Sequence, residues 1–144
     1  MIGFLARITV GIVFALSGFR KAVAAPQEFA AVVETYQILP SGWVLSFAAV
    51  MPWMEILLGL CLIAGYRTRA AAGGLGVLLV TFMLALLFAL GRGIPLENCG
   101  CFGSWISLTP WQALGVDVFL LTLAWLAFWR GRHVFSMDQW VESA

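Results

Sequence analysis

Four apolar runs constrain this chain more than any other feature. They cover residues 2–19, 43–64, 71–90 and 111–129, and each is close to the ~20 residues a helix needs to cross the hydrocarbon of a bilayer. The composition agrees: 62% of residues are hydrophobic and 10% charged, against roughly 45–50% and about 25% in soluble domains. The sequence therefore predicts an all-α integral membrane four-helix bundle. It forms a single transmembrane domain over residues 1–144, with spans at about 2–21, 43–64, 71–91 and 110–130. A formal net charge of +1 offers no basic face for nucleic acid.

The first run is followed by Ala22-Val23-Ala24, which looks like a leader-cleavage site. No basic residue precedes the run, and Arg20, Lys21 and Pro26 sit where such a site should be neutral, so the segment is expected to remain as a span. Gly11 and Ala15, four apart, mark a face on which another helix can approach closely. Arg20 and Lys21 close the span, with stems long enough to snorkel to the interface. From Gln27 to Leu39, Phe29, Val32, Val33 and Tyr36 recur at helical spacing between polar residues. That pattern predicts a short amphipathic interfacial helix between spans one and two, serving as a docking surface or as an ordered connector.

Glu55, with Pro52 just before it, falls inside the second run. A carboxylate there must be neutral, paired or facing a polar cavity, and is a functional candidate by default. Two readings stay open: a buried pair with Lys21 or Arg20 that fixes helix packing, or a proton-handling group. The third run, rich in Gly73, Gly74, Gly76 and alanine, is expected deep in the bundle through small-residue packing. Thr109-Pro110-Trp111-Gln112 reads as a helix start, with threonine as N-cap, proline at the first helical position and glutamine three after the cap. Asp117 then lies roughly 9–12 Å along the fourth helix, with Arg92 as candidate partner. His133, alone in the tail, reads as solvated, and Cys61 as a small buried hydrophobe.

Four spans place both termini on one side. Arg67, Arg69, Arg130 and Arg132 then share that side, with a weak addition from Arg7, against Arg20, Lys21 and Arg92 on the other. The excess favours cytoplasmic termini and a periplasmic loop carrying Cys99-Gly100-Cys101. Trp43, Trp105 and Trp111 would mark the outer interface, and Trp129 the inner one. Disulfides form and persist outside the cytoplasm. Cys61 would lie about 27 Å below Trp43 along its helix, which leaves Cys99 with Cys101 as the active pair. A bond across one intervening residue needs a sharp turn, which Gly100 permits, and a strained, exposed disulfide is the labile kind. Labile exchange is preferred over a structural disulfide, and both over Cu(I), because Met51, Met54 and Met83 are scattered and no Cys/His cluster completes a metal site. No metal is assigned.

The succession Ser17-Gly18-x-x-Lys21, Phe29, Tyr36-x-x-Leu39-Pro40, Pro52-x-x-Glu55-x-x-x-Gly59, the basic turn and Cys99-Gly100-Cys101-Phe102-Gly103 resembles the MauE/DoxX family of small membrane proteins. The resemblance covers nearly the whole chain up to the fourth span. It implies a four-helix membrane protein tied to redox metabolism; one branch is implicated in maturing a disulfide-rich subunit of methylamine dehydrogenase, and DoxD-like relatives in a thiosulfate:quinone oxidoreductase. Lys21, Glu55, Cys99 and Cys101 are the family-like polar positions, and the short tail is expected to carry no thioredoxin domain. The resulting expectation is a bacterial inner-membrane thiol-disulfide protein with Cys99, Cys101 and Glu55 as catalytic residues. Its partner would be a thioredoxin-like periplasmic protein or a maturing disulfide-rich subunit, in a membrane complex or homo-oligomer. A membrane quinone between helices near Glu55 and Asp117 is the acceptor considered, with Lys21, Asp117 and Arg92 as candidate cofactor contacts. The alternative is a non-enzymatic assembly or scaffold subunit with a structural disulfide, so enzymatic activity stays open.

Overall fold

A computed structural model describes residues 1–95 and 108–130. Cys99 and Cys101, with Glu97, Trp105, Arg132 and His133, lie outside the described residues. Among the described residues five helices follow one another: α1 (Ile2–Val23), α2 (Pro26–Thr35), α3 (Ser41–Ala64), α4 (Thr68–Gly91) and α5 (Pro110–Arg130). All but α2 are long and apolar enough to cross a membrane, and no strand occurs among the described residues.

The long helices close into a ring in the order α1, α3, α4, α5, each contacting its two neighbours, while α2 lies on α3. Neighbours run antiparallel. Gly11 of α1 faces Gly59 and Ile63 of α3 while Gly18 faces Pro52 and Ile56, and Gly3 faces Arg130 at the end of α5. One end of the bundle therefore gathers the start of α1, the Gly65–Arg67 turn and the end of α5. The other gathers α2 and the start of α3 with Pro95 and Leu108, the two residues between which the cysteine motif runs. Ile94 and Leu108 pack against one apolar cluster that holds Tyr36, Leu86, Ala89 and Ala113, so both approaches to that motif are anchored on the same cluster as the residue following α2.

Helix ends follow their sequence signals. Thr109 N–H donates to Gln112 Oε1 at 3.2 Å, which satisfies one of the donors a helix start leaves without an intrahelical acceptor. Gly65 ends α3 in the left-handed conformation, which a residue without Cβ adopts at no steric cost. The amphipathic helix is shorter than the pattern from Gln27 to Leu39. It stops at Thr35, because Gln37 turns to φ 52°, outside the helical region. Its buried face carries Phe29, Ala30 and Val33, packed on Val44, Ala48 and Met51 of α3.

Burial is uneven. Over an 18-residue apolar stretch, 44% of α1 is buried and 22% of α4, so the glycine-rich third span is the least enclosed of the four, contrary to expectation. Its glycines do not all meet a partner. A Cβ at Gly73 would find its nearest neighbour, Phe128 Cε2, at 3.7 Å, and one at Gly76 would find Leu121 Cδ1 at 3.9 Å. The space left between α4 and α5 is a groove of about 360 Å³ edged by Gly73, Gly76, Thr81, Trp125 and Phe128.

Candidate functional site: a buried ion pair where five helices meet

The packed face of α1 consists of Gly3, Ala6, Arg7, Val10, Gly11, Phe14, Ser17, Gly18 and Lys21, spaced at three and four residues as one helical stripe requires. Lys21 ends that stripe. It does not snorkel to the interface but is 4% exposed. Its Nζ donates to both carboxylate oxygens of Glu55, at 2.8 Å to Oε1 and 3.1 Å to Oε2. Helical side chains lean toward their own N-terminus, and that lean carries Lys21 down α1 to the level of Glu55. Arg20, one position round the helix, is exposed, so of the two candidate partners it is Lys21 that pairs.

Close helix approach makes this contact. A Cβ on Gly18 would lie 2.6 Å from the Pro52 carbonyl oxygen and 2.9 Å from Glu55 Cβ, distances no side chain tolerates. Gly59 does the same one turn further along α3, where a Cβ would meet Ala15 N and Gly11 O at 2.8 Å. Gly11 and Ala15 thus form the packing face expected of them. Ser17 supplies a further hydrogen bond to the Glu55 carboxylate. The ammonium also sits 5.0 Å from the Phe29 ring of α2 and 5.5 Å from the Phe82 ring of α4, near enough for the ring faces to attract it. A buried charge pair is tolerable when its remaining polar groups are satisfied, and here the rings and Ser17 contribute to that.

Asp117 completes the assembly from α5. It is 3% exposed and lines the same small cavity as Ser17, Lys21 and Glu55, together with Phe14 and Phe82. Arg92, its expected partner, is not there. That guanidinium lies 4.5 Å from the Phe88 ring on an exposed residue at the end of α4, so it contributes nothing to a site around Glu55. Sequence reasoning offered Lys21 or Arg20 as partner of Glu55 and joined Asp117 to Glu55 only through a quinone; the fold places Lys21, Glu55 and Asp117 around one small cavity, with each of the five helices contributing a residue to their surroundings.

The space at this centre is small. The cavity has about 20 Å³ of room for the centre of a water, little more than the roughly 10–15 Å³ that one water needs. A quinone ring does not fit between Glu55 and Asp117. The larger α4–α5 groove contains neither carboxyl group. Among the described residues no group of three His, Cys, Asp or Glu could hold a metal ion. Cys61 is half-buried against the main apolar core.

Comparison with known proteins bears on the same residues. The family model for methylamine utilisation protein MauE matches residues 1–130. The chain is similar to methylamine utilization protein MauE of Methylophilus methylotrophus, 30% identical over 69% of this chain and 52% of that protein. It is also similar to the MauE of Methylorubrum extorquens, 32% identical over 69% of this chain and 56% of the relative. The chain thus spans about half the length of these curated relatives. No solved structure matches. The family match takes in Lys21, Glu55, Asp117 and the Cys99-Gly100-Cys101 motif, and on its extent this multi-pass membrane chain belongs to the MauE family.

Proposed function

We propose that this protein is a thiol-disulfide exchange protein of the bacterial inner membrane, which passes a disulfide from Cys99 and Cys101 to a periplasmic thioredoxin-like protein or to a disulfide-rich subunit under maturation. The observation that carries the reading is a Cys-Gly-Cys motif within the span matched by the MauE model. The names of the relatives tie that family to methylamine utilisation, and a disulfide-rich subunit of methylamine dehydrogenase is the client this suggests.

In the exchange, a thiolate of the reduced client attacks one sulfur of the Cys99–Cys101 disulfide. That S–S bond breaks, a mixed disulfide forms, and the other cysteine leaves as a thiolate and takes up a proton. A second client thiolate then attacks the mixed disulfide, so the client ends oxidised and the Cys99/Cys101 pair reduced by two electrons. A second disulfide-bearing protein restores the pair by the same chemistry in reverse. A membrane quinone is the other acceptor in view; no step is routed through it, because the cavity beside Glu55 does not take its ring. Cys99 and Cys101 are the catalytic residues of this scheme. Lys21 and Glu55 act as positioning residues that hold α1 against α3.

The test is trapping. Cys99→Ser or Cys101→Ser, expressed with the cell's own periplasmic proteins, should accumulate a mixed disulfide in one of the two variants. If neither does, and the double variant still supports maturation, the exchange reading is wrong. The sealed ion pair favours one other reading, a non-enzymatic assembly subunit whose cysteines staple a loop. It predicts that neither single variant traps a partner and that both single variants behave like the double variant, each losing only the stability the disulfide supplies.

A further inference from the structure

Asp117 has an oxygen with nothing to bond. Its Oδ2 is sealed from solvent and finds no hydrogen-bond partner among the described residues, although the residue is 3% exposed and sits on the inward stripe of α5 with Ala113, Leu120 and Ala124. Leaving such an oxygen unsatisfied is unfavourable, by about 1–3 kcal/mol for a neutral group and more for a charged one. Native interiors rarely tolerate it without water or an ion. The Asp117 side chain lines the cavity of about 20 Å³ whose polar walls are Ser17, Lys21 and Glu55. Its remaining walls are Val13, Phe14, Leu79, Phe82 and Leu120. The acids of α2, Glu28 and Glu34, are exposed, and α4 lines the cavity with apolar residues alone.

We propose that this cavity is a binding site for one internal water molecule, which links Asp117 of α5 to the Lys21–Glu55 pair of α1 and α3. The donor inventory closes. Lys21 has three N–H groups and directs its ammonium at both Glu55 oxygens, which leaves one N–H for the water to accept. The water donates one hydrogen to Asp117 Oδ2. It donates the other to the Ser17 oxygen, whose own hydrogen goes to Glu55. Three hydrogen bonds is the usual complement of a buried water. Size agrees with chemistry, because the space admits one water and little else, and its polar walls supply the two to four partners a buried water requires. The α4–α5 groove is larger but apolar, and offers no such set. The water makes the polar core continuous across three spans. It also ties down the helix on which the chain resumes after the cysteine motif.

Infrared spectroscopy of the full chain in lipid nanodiscs, comparing H₂¹⁶O with H₂¹⁸O, tests this directly. The wild type should show an O–H stretching band of a single non-bulk water that shifts with the oxygen isotope. Asp117→Leu should abolish it. Asp117→Asn keeps the shape of the side chain but offers a weaker acceptor and should move it, so the test stands even if the leucine variant does not fold. No isotope-sensitive band in the wild type overturns the proposal, as does a band that survives Asp117→Leu or stays unmoved in Asp117→Asn. The measurement needs neither Cys99 nor Cys101, so its outcome is separate from that of the trapping experiment.

Discussion

At the residue scale the Lys21–Glu55 pair decides most. With the two side chains 2% and 1% exposed, removal of one partner strands a charge in a low-dielectric interior, which destabilises by on the order of 3–5 kcal/mol. Lys21→Met and Glu55→Gln should each lower the thermal midpoint of the detergent-solubilised protein markedly. The triple variant Lys21→Met, Glu55→Leu and Asp117→Leu should recover most of that loss, since apolar replacement of a whole buried ionic set is close to neutral, whereas the double variant that keeps Asp117 should recover less, because that buried carboxyl loses the Lys21 ammonium beside it. An assay of the proposed maturation activity would separate packing from function. If the ionic set only packs, the triple variant regains activity with stability; if the ionic groups matter to exchange, stability returns and activity does not. The sequence carried more of this than first appears. Lys21 lies four residues after Ser17 and seven after Phe14, on the buried stripe, whereas Arg20 falls off it. Proximity to the end of an apolar run suggests snorkelling, and only the stripe argues against it. For Asp117 no local signal exists, because its surroundings are set by which helices are neighbours in the ring.

At the scale of elements, the same residue type has opposite consequences on two helices. Gly18 and Gly59 hold α1 and α3 at backbone contact, whereas Gly73 borders an open groove. Gly18→Ala should therefore destabilise by about 1–3 kcal/mol, the usual range for overpacking a tight contact, and loosen the Lys21–Glu55 pair with it. Gly73→Ala should be neutral or stabilise by up to about 1 kcal/mol through helix propensity alone. Denaturation of both variants in one detergent checks the contrast, and equal effects would contradict the packing described. The small-residue rule explains why α1 and α3 were legible and α4 was not. Small residues permit close approach, but whether a neighbour uses that permission depends on the bulk opposite, and Phe128 and Leu121 leave the α4–α5 seam open. Capping was legible because it is local: Thr109 and Gln112 need only each other.

At the scale of the whole molecule the question is which end faces out. The fold gathers Arg67, Arg69 and Arg130, all exposed, at the end that holds the start of α1. The opposite end keeps Arg20 and Arg92, since Lys21 is drawn inward to Glu55. The basic excess thus rests on the arginines flanking α3, α4 and α5, and it favours cytoplasmic placement of that end. In the proposed orientation the segment between Pro95 and Leu108 would start and finish on the periplasmic side. A membrane-impermeant maleimide, applied to intact spheroplasts after reduction, should label the wild type, and the Cys99→Ser/Cys101→Ser double variant should stay unlabelled. Cys61 supplies the internal control, because it is half-buried near the opposite end of α3 and should react only after the membrane is opened. Replacing both Arg67 and Arg69 with glutamine removes two of the three exposed arginines that the described residues place at that end, and should lower the labelled fraction as inverted molecules accumulate. Labelling of Cys99 and Cys101 only after permeabilisation would place them in a reducing compartment, where a standing disulfide is disfavoured, and would remove the basis for periplasmic exchange.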